Sequence, residues 1–420
     1  MELLPSRADR RASGSGVKAV AKWLSFFVLA MPGICAAGLL TEEQSLQLGL
    51  SQPHFVNVLE SRVEAAQGAL ITTKTWSNPE LELAREELGE ETEINIWLRQ
   101  RFDVSGRRSF NRDTAQADID SIRAVNDSQR VQRGTFIRQR FFQALYYQQQ
   151  QQLFSHWVEK FTTVEAAMRK REEAGDVSGY DRRRISREKV SLLARERHNQ
   201  AKYQSAWQRL LGIIGAKQDH GYDGVQGDIA PDQLPPLESV LEAMAQQPVL
   251  VQLQHQAQSA HLAARSAERG KFPEFTLGLG HKRVDGPAQD ESGLMVSASV
   301  AVPVFDRKQG AAFSAESKAR EAESQYQLTL SELNAQARGL WHQAKQLAEN
   351  ARLFRQQSVN ASFELVRIAE TAYRNNEIGV LELLDAYRSA LEAETIASQL
   401  ALEARQTRIE LDELFNGVSQ

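Results

Sequence analysis

The sequence predicts a mainly α-helical protein with a small β part, built from one unit used twice. Three observations carry that reading. The 11 prolines fall at or before residue 53, at 79, between 231 and 287, and at 303, so residues 80–230 and 304–420 contain none. Proline breaks helix interiors, and spans free of it can hold helices far longer than the usual three or four turns. Four segments alternate apolar with polar or small residues, which is the period of a strand. Six landmarks also recur in the same order in each half of the chain.

The first element is a leader. Arg7, Arg10, Arg11, Lys18 and Lys22 precede an apolar run, Trp23 to Met31, and small residues follow at Ala36, Ala37 and Gly38. That order is the order of a secretory signal, so residues 1–37 are expected to be a signal peptide and the protein to be exported. The run is short for a spanning helix, which leaves a single-pass anchor as the alternative. Cys35 is the only cysteine. Ile34 and Pro32 suit a lipidation site poorly, so Cys35 is expected to leave with the signal, with acylation as the alternative.

Residues 38–217 form the first repeat and 237–420 the second, joined by a linker, 218–236, that holds Gly, Asp and three prolines. Each repeat opens with a polar helix, roughly 42 to 75 and 236 to 270, with a proline near its start at Gln52-Pro53 or Gln247-Pro248. Each continues through Pro79-Glu80 or Pro273-Glu274 into alternating segments. Each then passes Phe102-Asp103 or Phe305-Asp306 into a very long helix, a break, and a returning helix.

The alternating segments give two β-hairpins, 80–102 and 274–304. Phe275, Leu277 and Leu279 share one face while Thr276, Gly278 and Gly280 share the other; Leu294, Val296, Ala298, Val300 and Val302 line one side of the next segment. In the first repeat Leu81 and Leu83 alternate with glutamates, and Ile94, Ile96 and Leu98 alternate with Asn95, Trp97 and Arg99. Each segment is about 10 residues, the length of a transmembrane β-strand. Four strands cannot close a membrane barrel, since the smallest have about eight, and open edges in lipid leave backbone groups unpaired. Three copies would supply twelve strands. Two soluble hairpins, each with one solvated face, are the competing interpretation.

The helices carry a coiled-coil seam. From Leu330, apolar or small residues recur in steps of three and four through Leu333, Ala337, Leu340, Ala344, Leu347, Ala351, Phe354, Ser358, Ala361, Leu365, Ile368 and Ala372. The spacing resumes at Leu383 and continues through Ala386, Ala390, Ala393, Ala397, Leu400, Ala404, Thr407, Leu411 and Leu414. The alanines of this returning arm allow close approach. The first repeat holds Phe154, Trp157, Phe161, Val164 and Met168 in register, after a glutamine run, Gln148 to Gln152, expected to be a solvated face. A helix from about 306 to 374 would be roughly 100 Å long, suited to a tube crossing an aqueous compartment.

Other classes fit poorly. A net charge of -4 gives no basic surface for nucleic acid. The eight histidines are scattered; there is no catalytic triad motif, no phosphate loop and no metal-ligand cluster. No enzyme activity and no cofactor are expected. A periplasmic coiled-coil adaptor or scaffold is a second class, but an adaptor would have one helical hairpin flanked by β-domains where this chain has two.

The segment Asn376-Glu-Ile-Gly-Val-Leu-Glu-Leu-Leu-Asp-Ala386 is similar to the second periplasmic hairpin of the TolC family of outer-membrane efflux proteins, and the duplicated order carries that resemblance across about 42 to 415. Val302-Pro-Val-Phe-Asp-Arg-Lys-Gln-Gly310 further resembles the cobalt-zinc-cadmium resistance branch. The resemblance implies a homotrimer whose twelve-strand outer-membrane barrel continues into a helical tunnel in the periplasm, passively conducting cargo. Its partners would be outer-membrane lipid, a periplasmic adaptor and an inner-membrane pump. Divalent metal cations are the favoured cargo, with a multidrug or type I secretion channel as the alternative.

The two helical breaks would then be hairpins at the tunnel tip, near 175 and 376. Gly175 suits the left-handed backbone of a tight reversal, and Asn376 stands where the family commonly has glycine. Asp176, Val177, Ser178, Glu377, Ile378 and Gly379 are expected to be exposed and to dock the adaptor. The resemblance places Glu382 and Asp385 at the family's two gate aspartates, and Asp181 and Tyr373 at positions that tie neighbouring coiled coils shut. The family's partner arginine falls on Ile378 here, so Arg374, Arg182 or Arg183 would have to substitute. In a threefold assembly the two acids would ring the mouth and favour cations.

Overall fold

The computed structural model describes residues 38–216, 221–287 and 289–415. The expected signal peptide, Cys35 and part of the linker lie outside the described residues. Two short helices, α1 (Glu42–Leu50) and α2 (Pro53–Lys74), lead to strands β2 (Glu80–Leu88) and β3 (Glu91–Phe102). Helix α3 (Arg107–Glu173) then runs 67 residues without interruption, and α4 (Gly179–Ile214) returns antiparallel to it. The second half repeats the plan with α5 (Leu237–Ala243), α6 (Pro248–Glu268), β5 (Glu274–Asp285) and β6 (Glu291–Ala301). Helices α7 (Gln309–Phe354), α8 (Asn360–Arg374) and α9 (Val380–Phe415) complete it. At about 1.5 Å per residue, α3 is roughly 100 Å long.

The sequence expectation of one polar helix opening each repeat is corrected. Pro53 and Pro248 each start a new helix at N1, because a proline there loses only a donor that would be unpaired anyway. The long helix of the second repeat begins at Gln309 rather than 306. Asp306 accepts from the Lys308 backbone at 2.9 Å, and Lys308 takes a left-handed φ of 57° that ends the preceding loop. Pairing in the second β-hairpin stops at Ala301, short of residue 304.

The linker is not structureless. Strand β1 (Gly38–Leu40) pairs in parallel with β4 (Tyr222–Val225), and Leu40, Val225 and Ile229 enter a core with Phe141, Phe142 and Leu210. The glutamine run serves this junction. Gln148 donates to the Val225 carbonyl at 2.8 Å and accepts from the Val225 amide at 2.9 Å, and Gln150 is buried. The expected solvated face is therefore corrected: a side-chain amide carries a donor and an acceptor and can extend a strand ladder. Arg405 on α9 holds the other end of the linker. It is 4% exposed, donates to the carbonyls of Asp228, Ile229 and Ala230, and lies 4.6 Å over the Phe142 ring.

The four long strands form an antiparallel sheet in the order β2-β3-β5-β6. Its register puts Leu83 opposite Ile96, Leu98 opposite Leu279, and Leu279 opposite Val296. The resulting apolar face is bare: Leu81 is 74% exposed, Leu279 65%, Leu294 90% and Val296 80%. The opposite face carries Glu82 bonded to Arg99, and Lys282 bonded to Glu93 at 2.6 Å. There Trp97 lies on Gly278 and Gly280; a Cβ on Gly280 would come within 2.7 Å of the indole. Among the described residues β2 and β6 have no outer partner strand and are open edges.

The helices keep the same lateral order. Helix α3 packs between α2 and α6 and between α4 and α9, while α7 packs on α6 and α9. In α9 the predicted seam is buried at Leu383, Ala390, Ala393, Ala397, Ala404, Thr407, Leu411 and Leu414. In the arm opposite it the seam slips. Residues Arg355–Val359 form a single π-helical turn. Ala337, Ala344 and Ala351 are buried above it, and Val359, Val366 and Ala369 below it. The step from 351 to 359 is one residue longer than a heptad, and each residue turns a helix by about 100°. The expected seam residues Leu365 and Ile368 are consequently 56% and 58% exposed.

Candidate functional site

Both helical reversals end in the same Schellman geometry, in which two amides past the helix end bond back into its last turn. At the first, Gly175 donates to Glu172 O at 3.0 Å and Asp176 to Arg171 O at 2.8 Å. At the second, Asn376 donates to Tyr373 O at 3.1 Å and Glu377 to Ala372 O at 2.8 Å. The motif needs a left-handed residue at its corner, and Gly175 and Asn376 supply it with φ of 82° and 59°. Asparagine is among the few non-glycine residues that tolerate that region.

Gly175, Asp176, Ser178, Asn376, Glu377 and Gly379 are exposed. Val177 and Ile378 are not, which corrects the expectation for those two. They are half-buried and pack on the core formed by Met168, Ile185, Val380 and Leu383, because the end of each helix pair would otherwise leave apolar side chains in water. The tips also differ. Ser178 caps α4 through its hydroxyl, accepting from the Asp181 amide at 3.1 Å, while glycine occupies the corresponding place, 379, in the second turn.

Glu382 and Asp385 lie exposed on the first two turns of α9, whereas Val380, Leu383 and Leu384 from the same turns are buried. The acids therefore point away from the core, and neither joins an ion pair among the described residues. Asp181, in the first turn of α4, accepts from the Ser178 hydroxyl at 2.7 Å. Tyr373 donates to the Met168 sulfur and carries the Arg171 guanidinium 5.4 Å over its ring. Asp181 and Tyr373 thus have separate local partners within this chain. Of the three arginines considered as substitutes at the mouth, Arg182 pairs with Glu172 and Arg374 donates to Glu370 O at 3.1 Å; Arg183 is exposed.

What joins the two hairpins is a set of contacts that the motif reading missed. Arg171 donates to the Asn376 side chain at 2.7 Å, linking one corner to the other. Lys160 lies 3.6 Å from Glu370, which accepts from the Tyr387 hydroxyl at 2.9 Å. Burial and that carboxylate push the Tyr387 hydroxyl well above the usual tyrosine range. Trp157 and Phe161 stack edge-on against the Tyr387 ring, and Trp157 donates to Glu394 at 2.9 Å. Glu188 on α4 accepts a two-pronged bond from Arg388 on α9, and a second contact from Arg187 at 2.8 Å. Burial alone would raise the Glu188 carboxyl; the hydrogen bonds from the two arginines outweigh it and hold the group below the ordinary range. One signal for this clasp was readable: Arg187 and Arg388 sit 201 positions apart, the same offset that relates Gly175 to Asn376.

Among the described residues no group of three or more His, Cys, Asp and Glu could hold a metal ion, and no helix is long and apolar enough to cross a membrane.

No family model matches the chain. It is 24% identical over 372 residues to the cobalt-zinc-cadmium resistance protein CzcC of Cupriavidus metallidurans, an alignment covering 85% of each. The structure superposes on CusC, described as forming a transmembrane channel, with a TM-score of 0.75 at 14% identity, covering 89% of this chain and 91% of that one. The outer membrane protein VceC of Vibrio cholerae gives 0.73 at 16% identity over 89% and 95%. The chain therefore shares its fold, long paired helices joined to a four-stranded sheet, with these outer-membrane proteins.

Proposed function

We propose that the protein is the outer-membrane channel of a tripartite efflux system, a passive conduit and not an enzyme, with divalent metal cations as its cargo. The single observation that carries the reading is the sheet: one face bare and apolar, the other polar, and both edges open. Such a sheet is at rest only in lipid and only when copies of the chain close it. Three copies would give the twelve strands of a barrel. The helical edges support the same assembly, since α7 and α8 expose Phe313, Leu328, Leu365 and Ile368 on the side of β6, while α2 and α4 expose Val58, Ile71 and Val190 on the side of β2. The metal cargo rests on the similarity to CzcC.

In this reading Gly175, Asp176, Ser178, Asn376, Glu377 and Gly379 meet the periplasmic adaptor, and Glu382 and Asp385 ring the tunnel mouth. Asp181 and Tyr373 brace the two turns. Replacing both ring acids by alanine is expected to lower cation selectivity in a planar bilayer; unchanged selectivity removes them from the role. For cargo, the test is growth of a strain lacking the protein across zinc, cobalt, cadmium, nickel, copper and a drug panel. Hypersensitivity to particular metals supports the assignment, and sensitivity to drugs alone replaces it with a multidrug channel.

A further inference from the structure

The two rims of the apolar sheet face have opposite charge. Around the hairpin loops, residues 85–92 and 283–291 hold two arginines against seven acids. At the end where strands join helices, residues 101–108, 265–274 and 302–308 hold eight basic against four acidic side chains. The basic rim is interleaved with aromatics. Trp76, 57% exposed, stacks edge-on with Phe102, and the Arg108 guanidinium lies 4.0 Å over its ring. Arg269 and Lys271 flank the exposed Phe272 ring at 5.5 and 5.9 Å. Phe305 is 93% exposed, and the adjacent Arg307 makes no ion pair among the described residues. A guanidinium stacked on a ring keeps its in-plane N–H groups free for an oxyanion.

We propose that this collar binds the headgroups of anionic phospholipids in the leaflet facing the helical tunnel. The inference rests on the channel reading above, because it needs the apolar face to lie in a bilayer. The choice of ligand follows from adjacency. A phospholipid places its phosphate among Arg269, Lys271 and Arg307 while its acyl chains lie along Phe275, Leu277 and Val300 of the neighbouring strands; a free phosphate would satisfy only the cations. Aromatic side chains at this level sit where amphipathic rings favour the membrane interface, and each Lys or Arg near an anionic surface strengthens binding by about fivefold.

The test uses the full-length protein purified in detergent, with native mass spectrometry reading phosphatidylglycerol against phosphatidylcholine adducts. The wild type should prefer phosphatidylglycerol. The variant Arg269→Gln/Lys271→Gln/Arg307→Gln should lose most of that preference, and the single change Arg307→Gln about fivefold of it. Equal binding of both lipids to the wild type overturns the proposal, as does displacement of phosphatidylglycerol by millimolar inorganic phosphate, which would make the collar a free-phosphate site. Membrane fractionation is run alongside. A wild type found outside the outer membrane defeats the channel reading itself, whereas correct localisation without lipid preference defeats only the collar.

Discussion

The clasp between Glu188 and Arg388 gives the most direct test of how the tip is held. Changing Arg388 to alanine removes both prongs from Glu188 but leaves its contact with Arg187 at 2.8 Å, so the carboxylate is not stranded. The Glu188 side chain is 17% exposed and that of Arg388 39%, between the surface pairs worth up to about 1 kcal/mol and hydrogen bonds to charged groups worth about 1.5–3 kcal/mol. A loss of about 1–2 kcal/mol follows, and at 1.4 kcal/mol per decade the equilibrium between joined and separated hairpins shifts by about 5- to 30-fold. The assay is open probability in a planar bilayer for Glu188→Ala, Arg388→Ala and the double variant. The clasp should appear as non-additivity, the double variant opening little more than either single one. Additive effects, or an Arg388→Ala channel that opens no more than the wild type, would refute the reasoning. Because the Glu188 carboxyl is held below its unfolded range, the clasp contributes in full above that range and is lost as pH falls through its folded value. Wild-type opening should therefore rise only in acid below the ordinary glutamate range.

Arg405→Met should be destabilising by at least about 1–3 kcal/mol, since it removes the guanidinium bonds to the carbonyls of Asp228, Ile229 and Ala230; a lower Tm with early proteolysis in 226–236 would show it. Gly280→Val places side-chain atoms where the Trp97 indole already lies, and heat-resistant oligomer on gels should disappear, returning in part with Trp97→Ala. Ile378→Asp buries a charge against the tip core and should raise antibiotic uptake, while Ile378→Val, which keeps an apolar side chain at the same place, should leave uptake unchanged.

The parts legible in the sequence were those fixed by period or by one backbone need. Alternation from Phe275 to Leu279 placed the apolar face, the left-handed corner at Gly175 could be read from residue type, and that at Asn376 from the resemblance that sets it where glycine is common. What escaped were contacts that cross long stretches of chain. Nothing near Gln148 reveals that it will complete a strand 77 residues later, nor that Arg405 will hold a linker 175 residues before it. Val177 and Ile378 were misread for a different reason: a turn suggests exposure, but an apolar residue at the end of two packed helices caps their core. The slipped seam was invisible because its three-four spacing continues without fault through Phe354, Ser358 and Ala361, and only the backbone shows that the helix there is overfilled by one residue.

That overfilled turn bears on how such a chain can change over generations. An added residue in a long α-helix ordinarily rotates everything beyond it and ruins the packing of the whole arm. Here one turn at 355–359 takes up the surplus, so Val359 and Val366 still meet the returning arm while the former seam, Leu365 and Ile368, is set free. The arm thereby carries an exposed apolar stripe, Leu365 and Ile368, beside the buried one. Relatives that lack the extra residue should align with a single-residue gap in this turn and should carry polar residues in place of Leu365 and Ile368.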